Sequence, residues 1–313
     1  MRAFKTITGA LVLGTVAFSG AANAADEIEA RMAPNQMSGN ISVWGAGVIP
    51  SGYSNEFEPA CTDFGPSHFC EGDFGFGSDA RVYYEFDNGY GFQLESLLDY
   101  HLELDDDDST DEEHAVHAAV AGHLIRRSGN MAYGAFLGLS GTGHLDQEER
   151  SVHGIAGLEA AMMQGNNTFF GQIGYAGAIA GEDQVENLIF GRAGARHFFS
   201  PNQRLEGSIA GGFSSEAESG NSEELTWVQF AANYEQKFDD NPFSWFVGYQ
   251  GDYLDVPDSP FASGDASVWV HTVLAGFRMT FGATDTLQQQ DNYGARTFDL
   301  TNLRAPLSYP DEL

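Results

Sequence analysis

The sequence predicts an all-β fold, an antiparallel up-and-down β-barrel of about twelve strands, on three observations. Alternation of period two recurs along the chain in stretches of ten residues or more. The connections between those stretches alternate between long and short. The composition, 38 Gly and 24 Phe among 313 residues with only 10 Pro, suits strands better than helices.

The first 24 residues stand apart from this pattern. A short basic start with Arg2 and Lys5, an apolar stretch from Ile7 to Phe18, and the small-x-small sequence Ala22-Asn23-Ala24 read as a secretory signal peptide. No cysteine follows that cleavage site, so a lipid anchor there is not expected. Residues 25–38 then form an N-terminal lead-in. No later apolar run reaches 18 residues, which excludes a helical membrane protein.

Strands are expected at 39–49, 73–86, 90–103, 115–126, 131–144, 151–163, 168–181, 188–199, 204–214, 226–238, 243–253 and 267–281. The last is the clearest. Trp269, His271, Val273, Ala275, Phe277, Met279 and Phe281 share one face, and Thr272, Arg278 and Thr280 lie on the other. Between Phe74 and Phe86, an apolar face of Phe76, Ala80, Val82 and Tyr84 opposes Asp79, Arg81, Tyr83 and Glu85. The Ala-rich stretches 115–126 and 151–163 read as helical on composition alone. The count becomes ten if that pair is not strand, and fourteen if the chain around Ala295 to Leu303 pairs with the sheet.

The connections 50–72, 104–114, 145–150, 182–187, 215–225 and 254–266 are long. Those at 87–89, 127–130, 164–167, 200–202 and 239–242 are short. With their flanking residues, the long connections carry 26 of the 45 acids and one base, Arg150. The short ones hold Asp87, Asp239 and Asp240, with Arg126, Arg127, Arg204 and Lys237 at their edges. The formal net charge of −31 is therefore gathered at one end. So acidic a surface excludes nucleic acid as a partner. A charged fraction of 19% beside 42% hydrophobic residues excludes a disordered acidic chain.

Cys61 and Cys70 in an exported protein are expected to close a loop as a disulfide. A metal site there would need more ligands than His68 offers.

On this pattern the chain resembles a Gram-negative outer-membrane β-barrel of the porin-like kind, over residues 39–281. One local motif supports the resemblance. Final strands recognised by the barrel-assembly machinery look like polar-x-Gly-x-x-apolar-x-aromatic. Leu274-Ala275-Gly276-Phe277-Arg278-Met279-Thr280-Phe281 matches at Gly276, Met279 and Phe281. Leu274 departs from the polar preference, and 32 residues follow Phe281 where the simplest members end. Those residues, 282–313, imply a periplasmic tail or a segment tucked into the barrel mouth. Only a closed sheet satisfies every backbone amide in lipid, so the physics agrees. A soluble β-sandwich or propeller is the bland competitor, but its outward faces should be polar.

The resemblance implies an outer-membrane location with both termini periplasmic and the long acidic connections outside. The partners implied are outer-membrane lipid and lipopolysaccharide, the barrel-assembly machinery, and small solutes or cations. Oligomeric state stays open. The run Asp105-Asp106-Asp107-Asp108 with Asp111, Glu112 and Glu113 lacks the Gly and ligand spacing of an EF-hand. It reads as a solvated loop, bridged loosely to lipopolysaccharide by divalent cations.

With the apolar faces outward, the lumen receives Asp79, Arg81, Glu85, Gln93, Glu95, Asp99, His101, His117, His123, His153, Glu159, Arg192, Arg196, Arg204, Glu206, Gln229, Asn233, Glu235 and Arg278. Such a network either lines a narrow aqueous path or fills the lumen as a structural core. In an open path, Arg81, Arg192, Arg196 and Arg278 would form a constriction opposite Glu85, Glu95 and Glu235. The acidic mouth would concentrate cations. The function expected is a narrow, cation-preferring passive diffusion channel with no cofactor, metal or catalytic residue. A closed structural or adhesive barrel is the first alternative, and a membrane-embedded lipid or lipopolysaccharide hydrolase the second. A hydrolase needs a Ser–His pair on the lipid-facing wall, oriented by a third group. His271 and His197 fall on the apolar face, with no evident serine partner on a neighbouring strand.

Overall fold

The computed structural model describes residues 35–51, 73–102, 114–144, 150–181, 185–216, 224–256, 266–282 and 285–308. The disulfide expected between Cys61 and Cys70, the Asp105–Asp108 run and the signal peptide lie outside them. Twelve strands follow in order: β1 (Met37–Ser51), β2 (Asp73–Glu85), β3 (Tyr90–Leu102), β4 (His114–Ser128), β5 (Met131–His144), β6 (Arg150–Gln164), β7 (Asn167–Gly181), β8 (Val185–Ser200), β9 (Gln203–Glu216), β10 (Glu224–Lys237), β11 (Phe243–Val256) and β12 (Ala266–Gly282). Two short helices, α1 (Leu287–Tyr293) and α2 (Arg304–Ser308), come after the last strand.

Each strand pairs antiparallel with its sequence neighbours, and β1 pairs with β12, so the sheet closes into a barrel. Strand bounds match the alternation to within three residues. The Ala-rich stretches are β4 and β6. Composition favoured helix there, but the period of burial is two. His117, Ala121, His123 and Ile125 are buried while Val120 and Leu124 are exposed. Packing against the lumen and lipid overrides the alanine preference.

All the short turns lie at one end of the barrel, and the strand ends joined through the long connections lie at the other. The tight turns place Gly89, Gly129 and Gly165 at φ of +76°, +61° and +59°, the left-handed region in which a hairpin turn favours glycine. Register irregularities occur at Val152/His153, Val185/Asn187 and Phe198/Ser200, all near strand ends. The long middle of every strand therefore keeps one face in and one out.

The two faces are inverted relative to a soluble sheet. Ile41, Val43, Leu137, Leu158, Ile173, Phe213 and Phe277 point outward and are exposed, Leu137 at 70%. Polar and charged residues point inward and are buried. That distribution suits hydrocarbon outside. No described helix is long and apolar enough to cross a membrane.

Several inward aromatics lie flat on the wall above a glycine of the next strand. A Cβ added at Gly157 would meet the Phe136 ring at 2.3 Å, and one at Gly174 would meet the Phe190 ring at 2.4 Å. Flattened rings and small inward residues (Ala119, Ala121, Ala132, Ala161, Ala176) leave the axis of the barrel free. The chain after β12 occupies it. Ala295 and Phe298 pack with Tyr83, Ile125, Ala132, Ala161 and Phe170. Leu303, Ala305 and Leu307 pack with Val48, Leu188, Leu225, Trp227, Leu254 and Val268, whose positions on their strands lie towards the long connections.

Candidate functional site

The segment that fills the lumen enters at the short-turn end. Thr286 caps α1 through a capping box. Its hydroxyl accepts from the Gln289 amide at 3.2 Å, and the Gln289 side chain accepts from the Thr286 amide at 3.3 Å. The turns then hold the helix across the mouth. Gln288 N–H donates to the Pro201 carbonyl at 3.0 Å, Gln288 Nε2 to Gly165 O at 3.1 Å, and Lys237 Nζ to Asp285 O at 2.6 Å. Arg127 reaches Asn292 O, and Thr297 Oγ1 at 2.7 Å.

Further in, the segment is pinned by Arg196. This guanidinium is 1% exposed and donates five hydrogen bonds. It reaches Glu206 (2.9 Å) on the wall, then Asp291 (2.8 Å), the carbonyls of Arg296 (3.0 Å) and Thr297 (2.9 Å), and Asp299 (2.9 Å) on the segment. The Phe170 ring lies beneath it at 4.4 Å. A guanidinium buried this deeply is tolerable only because each of its nitrogens finds an acceptor and three carboxylates balance it.

Asp299 is the second junction. Arg196 holds one of its oxygens, Arg81 approaches the other at 3.4 Å, and its carbonyl accepts from Gln172 at 2.8 Å. On either side, Phe298 O accepts from Gln93 (2.8 Å) and the Leu300 amide donates to Glu95 (3.0 Å). Thr301 Oγ1 donates to Gln172 at 3.0 Å. Beyond that, Arg304 lies 3.7 Å from Asp99, and the Leu307 carbonyl is 3.5 Å from the Thr142 hydroxyl. The segment thus crosses from the short-turn end towards the long connections.

The chain after β12 is expected to form a periplasmic tail or a segment tucked into the barrel mouth. Residues 285–308 lie within the lumen, the last of them against residues towards the long connections. The segment complements the wall: Arg196 donates to Asp291 and Asp299, and Gln93 and Gln172 donate to the Phe298 and Asp299 carbonyls.

The lumen residues named from the sequence fall as follows. Arg81, Glu95, Arg196, Glu235 and Arg278 are inward and under a tenth exposed, and Arg192 is nearly as buried. Arg81 pairs with Glu95 at 2.8 Å and Asp79 at 2.9 Å. Arg192 and Arg196 share Glu206, at 3.0 and 2.9 Å. Glu235 is shared by Arg278 and Arg204, the latter at 2.8 Å, and accepts from Ser244 at 2.7 Å. Glu85 is not drawn into this set. It lies near the short turns, 3.9 Å from Arg127. Across this band the lumen is filled with ion pairs and the C-terminal segment. Asp252 is also inward on β11 and accepts from Trp227 Nε1 and Gln229 at 2.9 Å.

Sequence reasoning missed the segment's own members: Asp291, Arg296, Thr297 and Asp299. They show no period, and their partners are spread over β2, β4, β7, β8, β9 and β10. The signal available was stoichiometric, an excess of inward arginines over carboxylates at the same level of β8.

Gly276, Met279 and Phe281 are in β12. Gly276 is sterically required, since a Cβ there would meet Val43 O at 2.2 Å and the Phe246 ring at 2.7 Å. Phe281 covers Gly39 across the closing seam. The same seam changes the reading of His271, which does have a serine beside it. Ser51 Oγ on β1 is 2.8 Å from His271 Nε2. The two are 220 positions apart and meet only because β1 and β12 close the barrel. His197 bonds Asn167 at 2.9 Å, not a serine. Among the described residues no group of three or more His, Cys, Asp or Glu side chains could hold a metal ion.

No family model matches this chain, and no curated protein does. Among solved structures it is similar to an outer membrane channel from Pseudomonas putida F1, at 10% identity and a TM-score of 0.56, over 82% of this chain and 99% of that one. It is also similar to a FadL homologue from Pseudomonas aeruginosa, at 9% identity and a TM-score of 0.42, over 79% of this chain and 90% of that one. A third is an anion-selective porin from Comamonas acidovorans, at 10% identity and a TM-score of 0.37, over 78% and 98%. The first of these likenesses shows a shared fold, that of an outer-membrane β-barrel.

Proposed function

We propose that this chain is an outer-membrane channel for small solutes, closed in the state described by its own C-terminal segment. The observation that carries the reading is how that segment is held. Among the described residues its one backbone–backbone hydrogen bond to the barrel is Gln288 to Pro201, at a turn. Everything else is side-chain contact, so the segment can shift without breaking the strand ladder that keeps the wall intact in lipid. A solved structure of similar fold is an outer membrane channel, which supports the reading.

In this proposal the long acidic connections face outward and concentrate cations at the entrance, an effect screened by salt. Twelve strands enclose too little space for a wide pore, so the path is narrow once the segment moves. Arg81, Arg192, Arg196 and Arg278 opposite Glu95 and Glu235 then form its constriction. The N-terminal end lies on the periplasmic side, while the segment ends towards the outside.

The lumen network also favours a second reading, a permanently closed structural barrel, because buried ion pairs tie the segment to the wall. Planar-bilayer conductance of wild type and Arg196→Met across a salt gradient separates them. A channel gives rare steps in wild type, more frequent steps in Arg196→Met, and a reversal potential of cation sign. A structural barrel is silent in both.

A further inference from the structure

Ser51, His271 and Tyr249 are brought together by the β1–β12–β11 seam on the outer wall. Ser51 Oγ lies 2.8 Å from His271 Nε2, and Tyr249 Oη lies 2.8 Å from His271 Nδ1. The register explains the contact. His271 is opposite Ile49 on one side and Gly251 on the other, so its imidazole reaches diagonally to Ser51 and Tyr249, both on its own face. Glycine at 251 leaves room for the Tyr249 hydroxyl, which comes within 2.9 Å of where a Cβ would stand.

We propose that Ser51 and His271 form a lipid-facing hydrolytic pair, positioned by Tyr249, that cleaves acyl esters of membrane lipids. The chemistry needs a hydroxyl bonded to an imidazole, and a third group that fixes the ring. With Nδ1–H donated to Tyr249 Oη, Nε2 accepts the Ser51 proton. Ser51 Oγ attacks the ester carbonyl carbon as its proton passes to Nε2. The intermediate collapses, the ester C–O bond breaks, and Nε2 gives the proton to the departing alkoxide. Water then attacks the acyl-serine, and its proton returns through Nε2 to Oγ as the fatty acid leaves. Water is the only co-reactant.

The surroundings fix the substrate class. Trp269 stacks on the His271 ring, 6.3 Å between centroids and 8° between planes, and Tyr253 packs on Trp269 at 5.0 Å. An outward aromatic cluster marks the membrane interface. Ester carbonyls of lipids lie at that depth, between headgroup and hydrocarbon. Ile49, Val273 and Phe277 continue down the wall at 58%, 52% and 59% exposure, an apolar track for the acyl chain. The contrast with the lumen sharpens the assignment. His117 Nε2 also bonds a serine, Ser140, at 2.9 Å, but its Nδ1 has no partner and both residues are buried from lipid.

The test uses the full-length folded barrel in mixed micelles, offered either a diacyl phospholipid or an O-acylated lipopolysaccharide. Release of fatty acid from one of them identifies the source. An activity-based fluorophosphonate should label Ser51. Ser51→Ala and His271→Ala should each lower hydrolysis by about a thousandfold or more and abolish labelling. Tyr249→Phe should lower kcat with KM unchanged, which a merely structural role would not produce. Folding of each variant is read from heat-modifiable gel mobility. Fatty acid release that persists in folded Ser51→Ala, or no release and no labelling in wild type, overturns the proposal. Channel conductance is a separate measurement, so failure here leaves that reading standing or falling alone.

Discussion

At the scale of the residue, the molecule turns on Arg196. Replacing it with methionine keeps most of the volume but leaves Asp291, Asp299 and Glu206 short of a counter-charge while still buried. Breaking a buried pair from one side costs about 3–5 kcal/mol. We expect amide exchange in 285–308 to accelerate strongly in Arg196→Met while the strands stay protected. Gly276 is the second critical residue. Val43 O belongs to the backbone of the paired strand and cannot give way, so Gly276→Val strains the seam itself. Overpacking costs about 1–3 kcal/mol, and the expected result is a lower temperature of heat-modified mobility.

The elements show what the sequence made legible. Period-two alternation located all twelve strands, because lipid outside and charge inside impose opposite demands on adjacent residues. It also set which side chains enter the lumen, since Asp79, Arg81, Glu95, Arg196, Glu235 and Arg278 share their inward parity. What stayed hidden was the fate of the chain after Phe281. Gln290, Asp291 and Arg296 look like a solvated tail in one dimension. Their partners, Arg196 and Glu235 among them, become neighbours only when the sheet closes. The Ser51–His271 contact was hidden for the same reason. One local signal was present, the Thr286–Gln289 capping box. Thr286→Ala should destabilise α1 by about 1 kcal/mol, visible as faster exchange at Gln288 and Gln289 with barrel stability unchanged.

For the whole molecule, three regions carry different physics. The outer wall is apolar and faces lipid. The lumen is a balanced ionic network, packed around a segment of the same chain. In the sequence, the long connections carry most of the acid. Together these describe a barrel whose wall is permanent and whose filling is held by replaceable contacts, which is the central claim. Single-channel conductance of the barrel lacking residues 285–313 tests it most directly, after far-UV circular dichroism has verified the strand content. We predict that this shortened barrel conducts in long open steps under conditions where the full-length protein is almost always closed. A folded barrel without the segment that remains silent would contradict the account.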